Sequence, residues 1–298
     1  MNAYRLDAAG RTACAVLLAV ATTLAEAQAP SPLVAAPNDV ADLGFSYFLG
    51  LGGQTAQYRE DSALVPVKSR ATTTSPLIVT GALYAINHDL LFSLGSETTF
   101  APGNTTEKWS ATTSQFNGRT LTDPVVQRNG FSLTQNTTQL LGLYRIVGDW
   151  FAVAGPSLHT QTFKRYSFVQ GVDDAVSLPT DHTVEESTSE VLANFGIGLD
   201  SGKVRGQSWH YGVRAMVGLP VWSRTDNTET PGVDFKSASG YDLSLEGRVS
   251  WAVVDDIHVG LWGQWLTSER HRAITGEFEL PQNRLTSTSY GLELLWKL

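Results

Sequence analysis

The chain has a single cysteine, Cys14, and two methionines, and only 17% of its residues are charged. Cys14 sits within the apolar run from Thr12 to Leu24. A chain trimmed of that run can form no disulfide and can hold no cofactor or metal through thiolates. Outside it, no apolar stretch approaches the ~20 residues that a membrane-spanning helix needs. No long segment keeps a 3.6-residue period, so helices are not the main material. Basic residues are also in short supply, 21 Lys and Arg against 29 Asp and Glu, and the net charge of −8 argues against nucleic acid as a partner. His88, His210, His258 and His271 are scattered and suggest no metal site. Neither a cofactor nor a metal is expected.

What is present begins with Arg5 and Arg11, the apolar run, and the small residues Ala25-Glu26-Ala27-Gln28-Ala29. This order reads as a secretory signal over residues 1–29, cleaved after Ala29. The alternative is a buried N-terminal helix, for which an Ala-x-Ala at that place has no purpose. A lipid-modified cysteine does not fit, because the apolar segment follows Cys14 instead of leading up to it. The signal carries two basic residues (Arg5, Arg11) and two acidic ones (Asp7, Glu26), so its removal leaves the net charge unchanged. Residues 30–42, with prolines at 30, 32 and 37, read as a short leader. Residues 43–298 form one large β domain.

Within that domain, alternation at period two is everywhere. In the segment from Tyr241 to Val253, Tyr241, Leu243, Leu245, Val249, Trp251 and Val253 share one face, while Asp242, Ser244, Glu246, Arg248 and Ser250 share the other. A soluble sandwich also alternates, but length and aromatic placement separate the two readings. Tyr241 to Trp251 spans about 25 Å along a membrane normal at roughly 3.3 Å per residue and a tilt near 40°, the height of an apolar band between two aromatic girdles. Similar patterns run through Leu43 to Gly52, Glu190 to Leu199, Trp209 to Val221 and Ile257 to Trp265. Weaker ones run through Pro76 to Ile86, Leu90 to Phe100, Thr134 to Val147 and Trp150 to Lys164.

The connections alternate between two kinds. Short turns fall at Asn87-His88-Asp89, Gly148-Asp149 and Asp255-Asp256, with a longer one near Asp200 to Gln207. Long polar loops fall at Glu60 to Thr74, Ala101 to Leu133, Arg165 to Glu186, Arg224 to Ser237 and Arg272 to Asn283. Short turns on the periplasmic side and long loops outside are the wiring of a transmembrane β-barrel. Five long loops and four short turns make ten antiparallel strands; eight or twelve follow if weak segments are misread. The rival fold is a secreted soluble β protein.

In the last segment, Tyr290, Leu292, Leu294, Trp296 and Leu298 face one way and Gly291, Glu293, Leu295 and Lys297 the other. Ser289, Gly291, Leu294 and Trp296 stand where a polar residue, a glycine and two spaced hydrophobics stand in the C-terminal recognition strand of bacterial outer-membrane proteins, which this strand resembles. Leu298 takes the place where an aromatic is common. The resemblance implies handling by the barrel assembly machinery and a bacterial outer-membrane location in contact with lipid and lipopolysaccharide; export by the general secretion route is the expectation from the N-terminal signal. It names a class and no individual family. A monomer is expected.

Inward faces carry Glu190, Arg214, Asp242, Glu246, Arg248, Glu293 and Lys297, with Glu97 and Arg145 added from weaker strands. Mixed signs in a barrel of low strand number favour charges that pair and fill the lumen. The alternative is a charge-lined path for solutes, a narrow porin or channel. A third reading is an outer-membrane lipid or peptide hydrolase. Ser157 and His159 share a strand face and resemble, in reversed order, the His-x-Ser of lipid A deacylases. Ten strands is also the count of the omptin surface proteases, whose sites combine an Asp pair with an Asp-His pair. Asp173, Asp174, Asp181 and His182 are the nearest candidates, but they fall in one loop. No catalytic residue is assigned, and the expected role is a non-enzymatic surface or interaction barrel.

Overall fold

The computed structural model describes residues 44–116, 118–171, 181–201, 208–236, 238–254 and 256–297. The expected signal and leader lie outside the described residues. The strands are β1 (Phe45–Asp61), β2 (Val67–Ala85), β3 (Leu90–Thr99), β4 (Thr105–Ala111), β5 (Gln115–Phe116), β6 (Arg119–Thr120), β7 (Val125–Val147), β8 (Trp150–Gln170), β9 (Thr183–Asp200), β10 (Trp209–Asn227), β11 (Gly240–Val254), β12 (Ile257–Arg270), β13 (Ala273–Thr275), β14 (Phe278–Leu280) and β15 (Gln282–Lys297).

Eleven of them form one antiparallel sheet that closes on itself, because β1 pairs with both β2 and β15. β3 and β4 occupy a single place between β2 and β7, so ten positions make the ring. The interruption has a local cause. Pro102 has no N–H to give a ladder, and Gly103 turns instead on Ser75 Oγ (3.1 Å) and Thr73 Oγ1 (2.8 Å).

The outward side chains reproduce a band. Near the short turns lie Trp209 and Trp251 (ring centroids 6.0 Å apart), Tyr47 and Trp296 (5.8 Å), and Phe45 with Tyr84 (6.0 Å). Towards the long-loop end, Tyr290, Trp265 and Trp222 stand exposed, and Leu49, Leu94, Leu158, Leu245, Leu261 and Leu292 are exposed between the two aromatic levels.

The strands do not stop there. β8 has 21 residues, roughly 50 Å of barrel height against an apolar band of about 25 Å. The segments expected as loops at 60–74, 101–133 and 272–283 are therefore largely strand. Only residues 62–66 separate β1 from β2, and β4 and the start of β7 occupy much of 101–133. In 272–283, β13 and β14 form a hairpin. Glu279 of that hairpin accepts Ala63 N–H (3.0 Å), Leu64 N–H (3.0 Å) and Ser62 Oγ (2.8 Å) and meets Arg272 (2.6 Å). Burial alone would push its carboxyl up, but these donors and the Arg272 charge outweigh burial and hold it below the usual range. The loops beside the first and last strands are thus tied together above the closing seam.

At that seam Gly52 of β1 faces Gly291 of β15. A Cβ on Gly52 would stand 2.1 Å from the Tyr290 carbonyl oxygen, so only glycine lets the backbones approach this closely. Gly52→Val is expected to reduce the yield of folded, heat-modifiable barrel on a denaturing gel. An unchanged yield would show that the seam can spread.

Candidate functional site

The site is the interior, where alternate residues of every strand converge. At the long-loop end Arg165 of β8 reaches across the lumen to Glu60 of β1 (Nη2 to Oε2, 2.6 Å) and Glu107 of β4 (Nε to Oε2, 2.8 Å). Glu60 also accepts Tyr58 Oη (2.9 Å), and Glu107 accepts Ser69 Oγ (2.8 Å) and Asn129 Nδ2 (2.9 Å). Glu186 of β9 accepts Asn227 Nδ2 (3.0 Å). The Arg165 guanidinium lies 5.3 Å from the Trp109 ring centroid, a cation–π arrangement. The rings of Tyr58, Phe131 and Phe163 (centroids 4.4 to 5.8 Å apart), the first two stacked and the third tilted against both, fill the space beside it.

The strand residues that alternate with this group on the outer surface, among them Arg59, Lys164 and Glu185, are polar, so it stands beyond the apolar band. Burial pushes the Glu186 carboxyl up to about 7, with the nearby Glu60 charge adding to the effect. Burial raises Glu60 as well, more than Arg165 can offset. Glu107 goes the other way: its burial is outweighed by the Arg165 charge and by three hydrogen-bond donors, which hold it below the usual carboxylate range.

A second network is centred on Arg270 of β12, which grips Glu190 of β9 with two parallel bonds (2.7 and 2.6 Å) and Asp242 of β11 with a third (2.7 Å). Such a fork is the strongest form of the pairing. A third joins Arg214 and Arg248 to Glu246 (2.9 and 2.6 Å), with Glu293 3.7 Å from Arg248 and Phe48 beneath its guanidinium at 4.4 Å. Glu97 lies 3.5 Å from Ser289 Oγ on the facing wall. Near the short turns an apolar cluster of Leu91, Leu141, Leu143, Phe151, Val153 and Met216 closes the interior.

Six charges expected to face inward, Glu190, Arg214, Asp242, Glu246, Arg248 and Glu293, are thus brought together in two networks, and Glu97 lies against their chamber wall. Arg145 is not with them. It sits at the rim near the short turns, donates to the carbonyls of His88 (3.0 Å) and Gly148, and covers the Phe151 ring. The Lys297 side chain and Leu298 lie outside the described residues. In the last strand, Ser289 and Gly291 turn inward and Leu294 outward.

Arg165, Arg270, Glu60, Glu107 and Glu186 were missed as interior charges. The first, third and fifth stood at the margins of segments read as loops, and Glu107 within one. The available signal was the alternation Tyr58, Glu60 against Arg59, Asp61, which continues past the apolar band.

Between the upper networks and the apolar floor remains a cavity of about 80 Å³, lined in part by Glu97, Gln135, Ser157, His159, Glu246 and Trp262. It has room for a few waters, and the buried atoms Gln135 Oε1, His159 Nε2 and Trp262 Nε1 have no protein partner. Ser157 accepts Asn194 Nδ2 (2.9 Å), and His159 Nδ1 lies 4.0 Å from Glu190. Among the described residues no hydrogen bond joins Ser157 to His159. Of the other quartet, Asp173 and Asp174 lie outside the described residues, and His182 meets Glu229 at 2.5 Å on the exposed rim.

No protein-family model matches the sequence, and no curated protein matches it. Solved structures do. The outer membrane protease OmpT from Escherichia coli superposes at a TM-score of 0.61 with 10% identity, over 90% of this chain and 99% of that one. The fold is that of an outer-membrane β-barrel. Weaker likenesses are to the translocator domain of the autotransporter NalP from Neisseria meningitidis (TM-score 0.35, 9% identity, 95% of this chain and 94% of that one) and to OprG from Pseudomonas aeruginosa (0.34, 8%, 86% and 97%). At 10% identity the OmpT likeness carries the fold and no residue roles.

Proposed function

We propose that this chain is an integral outer-membrane barrel with a filled, non-conducting interior, and that its working surface is the tall rim at the long-loop end. It reaches the membrane by export and the barrel assembly machinery, and acts there as a monomeric, non-enzymatic surface or interaction protein.

The observation that carries this reading is the burial of inward side chains at both levels. Glu107, Phe131 and Phe163 at one end, and Leu141 and Phe151 at the other, are at most 1% exposed. An aqueous path would leave such residues wet. The charges meet one another instead of facing a channel, and the cavity between them is too small for a substrate.

In planar bilayers the purified protein is expected to add no stable unitary current. The double variant Leu141→Ala, Phe151→Ala, which empties the floor, is expected to leak. Reproducible single-channel steps in the parent protein that change with Arg214→Gln would overturn the reading in favour of a pore.

A further inference from the structure

Outside the barrel, beyond the apolar band, the register aligns five cations on adjacent strands. Arg284 of β15 is opposite Arg59 of β1, Arg59 opposite Arg70 of β2, Arg70 opposite Lys108 of β4, and Lys108 opposite Arg128 of β7. All five are exposed. At ~4.8 Å between strands the row is about 19 Å long.

Like charges directly opposite one another repel, and among the described residues no ion pair relieves any of the five. Arg59 donates only to Gln57 (2.8 Å), and Arg284 lies 3.4 Å from Thr267 Oγ1. Glu269 stands across from Arg284 at one end of the row, and Val169 across from Arg128 at the other. Among the described residues other cations on this rim have acidic neighbours: Lys68 pairs with Asp61 (2.9 Å), Arg224 pairs with Asp226 and Asp234, and Lys164 faces Glu185 in register. The row gathers five cations on one side of the barrel.

Arg284 is six residues beyond Tyr290, the outermost aromatic of the band on β15, which places this end of the row about 15 Å above the hydrocarbon edge; on strands tilted near 40° the row changes height by roughly 12 Å along its length. Hydroxyls and an amide, those of Thr72, Thr286 and Gln57, occupy the next outward positions on the membrane side.

We infer that this row is a binding site for the phosphate-bearing sugar headgroup of lipopolysaccharide, whose acyl chains would lie along the apolar band below. The inference rests on the membrane-barrel reading. A polyanion held at this height removes the mutual repulsion of the row, and guanidinium forks suit phosphate oxygens.

The test uses the full-length barrel in detergent and the triple variant Arg59→Gln, Arg70→Gln, Lys108→Gln, whose side chains all point into solvent. Binding is read as the rise in unfolding temperature on titration with phosphorylated lipopolysaccharide, with dephosphorylated lipopolysaccharide, and with inorganic phosphate alone. The parent is expected to bind the phosphorylated form, more weakly as salt rises, and the variant to lose affinity on the order of a hundredfold. Equal affinity of parent and variant, or equal response to the dephosphorylated lipid or to phosphate alone, would overturn the site. Failure of the underlying reading looks different: the protein would stay in solution without detergent and show no heat-dependent gel shift.

Discussion

Arg165→Met is expected to destabilise the barrel by about 3 to 5 kcal/mol, because it leaves two carboxylates buried without their counter-charge. Glu107 is fully buried and Glu60 nearly so, and neither can turn to solvent from an inward strand position. The size of the loss reflects the charges left behind more than the strength of the ion pairs themselves. The triple variant Arg165→Met, Glu60→Gln, Glu107→Gln should therefore recover most of it, since glutamine keeps an acceptor for Tyr58, Ser69 and Asn129. Urea unfolding in detergent, followed by tryptophan fluorescence, measures both. A single-variant loss below about 1 kcal/mol, the range of an exposed pair, would contradict the buried network.

The same network should make stability fall as pH rises towards neutrality. Glu186 titrates near 7 in the folded barrel and near the ordinary glutamate range of about 4.3 when unfolded. Between those values the folded state holds a proton that the unfolded chain has released, so stability declines through that window and levels off above about pH 7. The full effect is on the order of 4 kcal/mol. Glu60, raised by the same burial, shares the proton uptake, which belongs to the pair rather than to either residue. Glu107, held low by Arg165, acts in the opposite sense: its stabilisation is present above the unfolded value and is lost as pH falls below it.

Glu186→Gln retains an oxygen for Asn227 and removes the charge. It should flatten the decline between pH 5 and 8 and unfold at a higher temperature than the parent at pH 8. Identical pH profiles for parent and variant would remove Glu186 as the cause.

The apolar band was legible because lipid-facing positions must be apolar and alternate positions need not be, so Leu243, Leu245, Val249 and Trp251 declare their side of β11 without help from the rest of the chain. The upper barrel was not legible. Beyond the band the outward face is polar, as at Arg70 and Thr72, while the inward face mixes polar and apolar residues, as at Ser69 and Ala71, and such a stretch reads as loop. It is strand because its neighbours supply the ladder partners, a property of the sheet and not of the segment.

By itself, then, the sequence determined the strand-built class and the face on which the residues of the clearest strands lie, since period-two alternation is a local consequence of backbone pleating; ten strands was one count among eight, ten and twelve until the pairing closed the ring. Only the tertiary structure decided which interior charges meet. Arg165 and Glu60 are 105 positions apart and Arg270 and Glu190 80 apart, and only closure of the ring, with its register and tilt, brings them within hydrogen-bonding distance. The same closure aligns Arg284, Arg59, Arg70, Lys108 and Arg128, a row invisible along the chain because each member comes from a different strand.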